Sequence, residues 1–175
     1  MESSELARFE AVVLPHLDAA YTLARYLTRH DHAAEDVVQE ACLRALKYFD
    51  GFRGAEERSA RAWFLAIVRN TAYSWRRRGR GEALATEFDE REHSDAVAGE
   101  HPEAELLRSS AKESLGRALD RLPPEFREVI VLRELQGLSY KEISDVAGVP
   151  VGTVMSRLSR ARTRLQEALQ DEEAR

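Results

Sequence analysis

Apolar residues recur at intervals of three and four along the first third of the chain, the spacing of helices that each bury one face. The first stripe runs from Leu6 to Leu27, and Pro15 is expected to kink or divide it. Asp31 is expected to cap a second helix, and Ser59 a third. The predicted apolar faces of these two helices are Val38, Ala41, Cys42, Ala45, Leu46 and Phe49, and Trp63, Phe64, Ile67, Val68, Thr71, Ala72 and Trp75.

The last third of the chain has the same helical spacing with stronger boundary signals. A stripe from Leu107 to Leu122 breaks at Pro123, and Pro124 suits the first turn of the helix that follows and closes at Gly137. The pattern contains no alternating runs of strand type, so we expect an all-α fold. It is expected to comprise two small helical domains, residues 1–78 and 107–175.

The segment between the two blocks differs from both in charge and in periodicity. The formal charge is +1 for residues 1–78, −7 for 79–106 and +1 for 107–175, so the excess acid of the chain lies in the middle. Because this segment also contains three glycines and little aliphatic periodicity, we interpret it as an acidic flexible linker. A short helix around residues 83–92 is the alternative. Each flanking block is small enough to be marginally stable alone, so each is expected to dock onto a partner.

Several classes of protein are disfavoured by what the sequence lacks. The longest aliphatic runs are far shorter than a membrane span, the N-terminus has no basic residue of a secretory signal, and Cys42 is the only cysteine. The five histidines show no zinc-binding spacing, and there is no phosphate loop or nucleophile elbow. We therefore expect a cytoplasmic protein that is not an enzyme and has no metal, cofactor or membrane-inserted segment.

The strongest local signal lies in residues 139–165. Ser139 and Glu142 have the spacing of a capping box, a short helix ends at Gly148, and Pro150 suits the first turn of a second helix. This is the signature of a helix-turn-helix, whose second helix enters the major groove of DNA. That helix carries four arginines and no acid between Val151 and Leu165, as an approach to phosphates requires. The alternative is an ordinary helical hairpin with a solvated basic face.

Two surfaces of the first block are further candidates. The third helix mixes aromatic residues with arginines and Asn70, a composition suited to single-stranded nucleic acid, although core packing explains most of the aromatics singly. Arg69, Asn70 and Tyr73 lie off its apolar stripe. An acidic edge at Asp36 and Glu40 is, from composition alone, a solvated helix face.

Taken together, these motifs resemble the extracytoplasmic function group of bacterial sigma factors, the small initiation subunits of RNA polymerase. The resemblance covers about residues 5–168. It rests on residues 35–40, the turn at 52–54, the helix at 63–72, the break at Leu122-Pro123 and the segments 137–143 and 149–154. It implies two helical domains, region two and region four, joined by a linker without a domain between them.

The resemblance also implies a role for each candidate surface. The helix-turn-helix face would read the minus-thirty-five element with Thr153, Met155, Ser156, Arg157, Ser159 and Arg160. The first block would melt and capture the minus-ten element with Arg53, Trp63, Arg69, Asn70, Tyr73, Arg76 and Arg77. Core polymerase would dock on Asp36, Gln39 and Glu40.

The expected partners are core RNA polymerase, promoter DNA as duplex and melted strand, and an anti-sigma factor. The linker would thread toward the active-site and RNA-exit channels, where it could imitate nucleic acid or serve only as a spacer. The alternative function is a free-standing, dimeric helix-turn-helix regulator. The first block favours the sigma factor, because such a regulator would carry a sensor or a dimer interface in its place.

Overall fold

The structure, a computed structural model, describes residues 3–53, 57–79 and 102–175. Every regular element in these three ranges is helical, so the all-α prediction is confirmed. None of the described helices is both long and apolar enough to cross a membrane. The predicted linker lies mostly outside the described residues, as does the alternative helix at 83–92.

The first block contains four α-helices. They are α1 (Ser3–Val13), α2 (Leu17–Thr28), α3 (Asp31–Tyr48) and α4 (Glu57–Gly79), with short 3₁₀ turns at Leu14–His16 and Phe49–Gly51. The first turn contains Pro15 and separates α1 from α2, as predicted. Helices α2, α3 and α4 all pack on one another. At one end of this core Phe9, Phe49, Phe52 and Trp63 form an aromatic cluster, with the Phe52 and Trp63 ring centroids 4.7 Å apart.

The structure corrects both predicted caps in the first block. The N-cap of α3 is His30, whose Nδ1 accepts a hydrogen bond from the Ala33 amide, while Asp31 lies in the first turn and pairs with Arg25. Helix α4 begins at Glu57, so Ser59 lies within its first turn. An N-cap side chain must lie at the residue where the chain enters the helix, because only there are backbone amides free to donate to it. Packing of the chain sets that residue, and the local sequence alone does not.

The buried face of α3 is also rotated from the predicted one. Its centre is Ala34, Val37, Ala41 and Ala45, whereas Val38, Cys42 and Leu46 are only half-buried at its margin. The face consists largely of alanines because α2 and α4 approach α3 closely, and small side chains permit that approach.

The second block also contains four α-helices. They are α5 (Pro102–Asp120), α6 (Pro124–Ile130), α7 (Tyr140–Ala147) and α8 (Val151–Glu173), with a π-helical turn at Val131–Leu135 after α6. Pro124 occupies the first turn of α6, as predicted. Helix α5 starts at Pro102, inside the segment 79–106 that the charge pattern assigns to the linker.

The helix-turn-helix forms as the sequence predicts. The Ser139 hydroxyl accepts from the Glu142 amide, and the Glu142 carboxylate accepts from the Ser139 amide, each at 3.1 Å. Gly148 ends α7 with a φ of +69°, a conformation that favours glycine. The Ser144 hydroxyl donates to the Val149 carbonyl and fixes the turn. Pro150 is the N-cap of α8, one position earlier than predicted.

The two blocks pack against each other. Helix α4 of the first block lies along α7 of the second, and α2 contacts α6, so the buried residues of both blocks form one continuous core. The Arg127 guanidinium is 2% exposed and donates to the carbonyls of Tyr26, Leu119, Asp120 and Leu122. It thereby ties the end of α2 to the end of α5. Each marginally sized block thus has the other as a docking partner.

Candidate nucleic-acid interface

The outer face of α8 presents a group of small and apolar side chains with one arginine. Met155, Ser156, Ser159 and Arg160 are exposed, and Thr153 is half-buried beside them. The inner face consists of Val154, Leu158 and Ala161, all buried. This division follows helical periodicity, and it leaves the outer face accessible to a DNA groove.

The four arginines of α8 do not all belong to that outer face. Arg162 donates to Glu134 at 2.7 Å, and the Arg164 guanidinium lies 4.9 Å from the centre of the Phe126 ring. Arg157 is half-buried, and its charge acts on the Glu128 carboxylate. Arg160 alone of the four is exposed without one of these internal contacts, so the predicted concentration of four positive charges toward DNA overestimates the charge available in this conformation.

The residues predicted to bind the minus-ten element divide into two groups. Arg53 is exposed in the loop before α4 and donates to the Asp50 carbonyl at 2.6 Å, while Asn70 and Arg77 are exposed along α4. Arg76 is half-buried. Trp63, also half-buried, packs on Phe52 in the aromatic cluster of the first block. Arg53, Asn70 and Arg77 therefore form the accessible part of the predicted surface.

Arg69 and Tyr73 are engaged inside the protein. The Arg69 guanidinium lies over the Tyr73 ring at 4.0 Å and donates to both oxygens of Glu128, at 3.0 and 3.3 Å. Glu128 is fully buried on α6 of the second block. Burial first, and then the nearby Glu128 charge, raise the pKa of Tyr73. Burial likewise raises the pKa of Glu128, and the charge and hydrogen bonds of Arg69 offset only part of that effect.

Reasoning from the sequence did not single out Glu128, because a glutamate next to an arginine in a helix normally indicates a solvated face. The signal in the sequence that could have predicted the burial of Glu128 is the run of aliphatic residues that follows it. Residues 129–132 are four consecutive aliphatic residues, all buried, so α6 is enclosed on nearly every side and a residue adjoining them is buried with them.

A second ion pair joins the blocks near the helix-turn-helix. Arg61 of α4 donates to the Glu142 carboxylate at 3.1 Å and to the Gln136 carbonyl at 3.3 Å. Partial burial acts in the opposite direction, but the hydrogen bonds from Ser139 and the Arg61 pair together lower the pKa of Glu142. The capping box of α7 is thus linked directly to the first block.

The acidic edge of α3 is accessible and has an apolar neighbour. Asp36 and Gln39 are exposed, and Leu43, one turn further along the same face, is 68% exposed. Glu40 is half-buried and accepts hydrogen bonds from Arg44 and Arg78. The sequence analysis did not include Leu43 in this surface, although its position four residues after Gln39 places it on the same face of α3. An exposed leucine among polar residues on one helix face is typical of a protein-binding surface.

Neither a metal site nor a reactive thiol is evident in the ranges that the structure covers. Within them, no group of three or more potential ligand side chains could hold a metal ion. Cys42 is half-buried, and burial raises the pKa of its thiol. A raised pKa lowers the thiolate fraction and with it the reactivity of the cysteine.

This geometry defines a two-domain, all-α protein with a helix-turn-helix. Comparison with known families identifies both domains: residues 12–82 match the model of sigma-70 region 2, and residues 112–165 match that of sigma-70, region 4. The chain belongs to the extracytoplasmic function (ECF) group of RNA polymerase sigma factors, as the resemblance of its motifs implies.

Named relatives support this membership. The chain is 35% identical over 157 residues to the ECF RNA polymerase sigma-E factor of Escherichia coli strain K12, covering 86% of this chain and 80% of that protein. It is 36% identical to the ECF RNA polymerase sigma factor SigE of Mycolicibacterium smegmatis, covering 96% of this chain. It spans 64% of the length of that longer relative.

A solved structure agrees with the whole arrangement. The sigma factor RpoE from Bartonella quintana, crystallised in complex with the anti-sigma factor NepR, matches with a TM-score of 0.74 and 31% identity. The match covers 93% of this chain and 97% of that one. CnrH, in complex with the cytosolic domain of CnrY, matches with a TM-score of 0.62 and 26% identity. These likenesses support the sigma factor and not the free-standing regulator.

Proposed function

We propose that this protein is an alternative sigma factor that binds core RNA polymerase, recognises a promoter in two places and initiates DNA melting. The observation that carries the proposal is the joint presence of region two and region four in one chain, each with an exposed face of suitable chemistry. It acts as an initiation factor without a catalytic site of its own, and works where core polymerase is, in the cytoplasm.

Region four supplies the upstream contact in this proposal. Phosphate contacts by Arg160 give affinity that does not depend on sequence, while Met155, Ser156 and Ser159 lie at the positions from which base edges are read. Thr153 and Arg157, both half-buried, flank this face.

Region two supplies the melting step. Unstacking a base costs a few kcal/mol, and a pocket with stacking contacts can offset that cost. Arg53, Asn70 and Arg77 are already exposed for this purpose. The remaining proposed contacts are Trp63, Arg69, Tyr73 and Arg76.

Polymerase docking is assigned to the edge of α3. Asp36 and Gln39 present polar groups around the exposed Leu43, which offers apolar area to a helical partner.

An anti-sigma factor is the second proposed protein partner. The likeness to two sigma factors solved in such complexes supports it.

The decisive experiment is run-off transcription with core polymerase on genomic fragments, with start sites mapped. We expect specific starts only when this protein is added. Asp36→Ala combined with Gln39→Arg should abolish co-purification with core polymerase while circular dichroism shows unchanged helicity. Asp145→Ala, in the short helix α7 of the other block, is a control that should leave co-purification intact. Survival of the α3 variant's complex on a sizing column would assign the edge to solvated surface.

A further inference from the structure

Two exposed apolar side chains lie on adjacent turns at the start of α8. Val151 is 39% exposed and Met155 is 52% exposed. They are four residues apart, so they form an apolar row along one side of the helix. The core contact of these turns is made instead by Val154 and Leu158, which are buried. Single exposed apolar residues are common, but two in a row beside the outer face of α8 indicate a contact with a ligand.

The outer face next to the apolar row is shallow. Gly152 has helical backbone, and a Cβ added there would have no described atom within 4 Å, so neither backbone conformation nor packing requires a glycine. One turn later, the Ser156 hydroxyl donates to the Thr153 carbonyl at 3.1 Å, so this short side chain bonds to its own helix. A glycine at such a position permits a ligand to approach the helix backbone closely.

The position of the apolar row matches the part of a helix-turn-helix that reads bases. In this motif the first residues of the second helix contact base edges in the major groove. Val151 is the first residue of α8, and Met155 lies one turn further along. The first acidic residue of α8 is Glu167, so no negative charge opposes the approach of DNA to these turns.

The chemistry of the two side chains limits which bases they can recognise. Val151 has no polar side-chain atom, and the thioether of Met155 is only a weak acceptor. Neither can pair with the acceptors and amino groups of a base edge, as arginine or asparagine does. The apolar group that a base displays in the major groove is the C5-methyl of thymine. The apolar row therefore matches thymine.

We propose that Val151 and Met155 determine promoter specificity by contacting thymine methyl groups in the minus-thirty-five element, and that Gly152 lets α8 approach closely enough for this contact. The inference rests on the proposed function, because it requires α8 to lie in the major groove of the promoter. Arg160 supplies affinity that is common to all sequences, whereas the apolar row adds a preference for thymine.

The first test removes the methyl group from the DNA. Deoxyuridine in place of thymidine deletes only the C5-methyl and leaves base pairing unchanged. In a promoter mapped with the holoenzyme, each thymine of the minus-thirty-five element is replaced in turn, on either strand. Fluorescence anisotropy then measures the affinity of the holoenzyme for each duplex. Thymines of the spacer between the two promoter elements, replaced in the same way, are the control.

We expect at least one replacement within the element to weaken binding by the wild type about fourfold, the effect of one methyl group removed from water. For each sensitive thymine, Val151→Ala or Met155→Ala should abolish the sensitivity. Leu14→Ala, which removes an exposed leucine of the first block, should retain it in full. The proposal is wrong if the element has no thymine, if every replacement is neutral, or if both α8 variants keep the wild-type sensitivity.

Conservative variants separate base reading from a structural role. Met155→Leu keeps an apolar side chain of similar size and should retain the preference for thymine over deoxyuridine. Met155→Gln keeps the length but is polar, so it should lose that preference. Sequencing of the duplexes that each holoenzyme retains from a pool randomised across the minus-thirty-five element gives a second readout. Identical selected sequences for Met155→Gln and the wild type would contradict the role of Met155.

The second test adds a methyl group to the protein. Gly152→Ala should leave the melting temperature at or above that of the wild type, because alanine favours a helix and the site has room. It should nevertheless weaken promoter binding roughly tenfold, because the new group meets the DNA. Gly116→Ala is the matched control, since Gly116 is a helical glycine of α5 with the same open space, and it should leave binding unchanged. Wild-type affinity in Gly152→Ala would refute the close approach.

The outcomes distinguish this inference from the proposed function. If the wild type directs no specific transcription with core polymerase, the proposed function fails. If transcription is specific but deoxyuridine is neutral throughout the minus-thirty-five element, only the reading of thymine methyl groups is wrong, and the proposed function stands.

Discussion

Arg160 provides the sharpest test of how α8 contacts promoter DNA, because the other arginines of that helix are engaged internally. Arg162 pairs with Glu134 and Arg164 lies over Phe126, whereas Arg160 is exposed beside Ser156 on the outer face. Arg160→Ala and Arg162→Ala remove the same charge from the same helix. We expect only the first to weaken DNA binding appreciably, because only Arg160 lies on the face assigned to DNA.

The magnitude follows from the release of counterions. Each phosphate that a protein neutralises contributes about 0.9 to the slope of log affinity against log salt concentration. Loss of a single contact should therefore make the slope shallower by about 0.9. Between roughly 50 and 200 mM salt, the wild type should lose about 3.5-fold more affinity than Arg160→Ala. Arg162→Ala should retain the wild-type slope.

The assay is fluorescence anisotropy of a promoter duplex titrated with holoenzyme at several salt concentrations. Core polymerase contributes its own salt dependence, but the difference between variants isolates the contact of one side chain. Equal slopes for all three proteins would show that Arg160 does not contact phosphate. A shallower slope for Arg162→Ala than for Arg160→Ala would place the DNA on a different face of α8.

Three further predictions concern stability and chemistry. Arg127→Met should lower the free energy of unfolding by roughly 4 kcal/mol and the melting temperature by roughly 8–16 °C, because it removes the side-chain donor of four carbonyls, of which the Leu119 carbonyl keeps a second donor in the Leu122 amide. Calorimetry that shows a shift of only a degree or two would contradict this. The pKa of the Glu142 carboxylate is lowered in the native protein, so the stability that this carboxylate contributes is present above its ordinary pKa of 4.5 and is lost as the pH falls through the lowered value. The difference in free energy of unfolding between the wild type and Glu142→Gln should therefore shrink over that pH range, and a difference that stays constant in acid would refute the prediction. Cys42→Ala should retain any response of transcription to oxidant in cells that keep the anti-sigma factor, because the raised pKa of the Cys42 thiol makes this residue a poor redox sensor. Loss of that response at a normal protein level would show that this chain is itself the sensor.

Local signals in the sequence were sufficient for most of the fold. The apolar spacing predicts the helices, Pro15 and Pro124 mark two of the boundaries, and the capping box with Gly148 predicts the helix-turn-helix. These signals act over a few residues, so they do not depend on the rest of the molecule. The cap at His30 was missed for the opposite reason, because the entry of the chain into α3 follows from its packing on α2.

The family, the two helical blocks and the outer face of α8 could be predicted from the sequence, since periodicity and short motifs encode each of them locally. The packing of the blocks on each other, and the set of arginines that stays available, depend on contacts between residues far apart in the chain. Arg69 donates to the Glu128 carboxylate, which is 59 residues away in the sequence, and Arg127 donates to the Tyr26 carbonyl, which is 101 residues away. A guanidinium has the same five donors in every context, so its role is set by whatever packing places within reach. Here packing places a buried carboxylate beside Arg69, a proposed DNA contact.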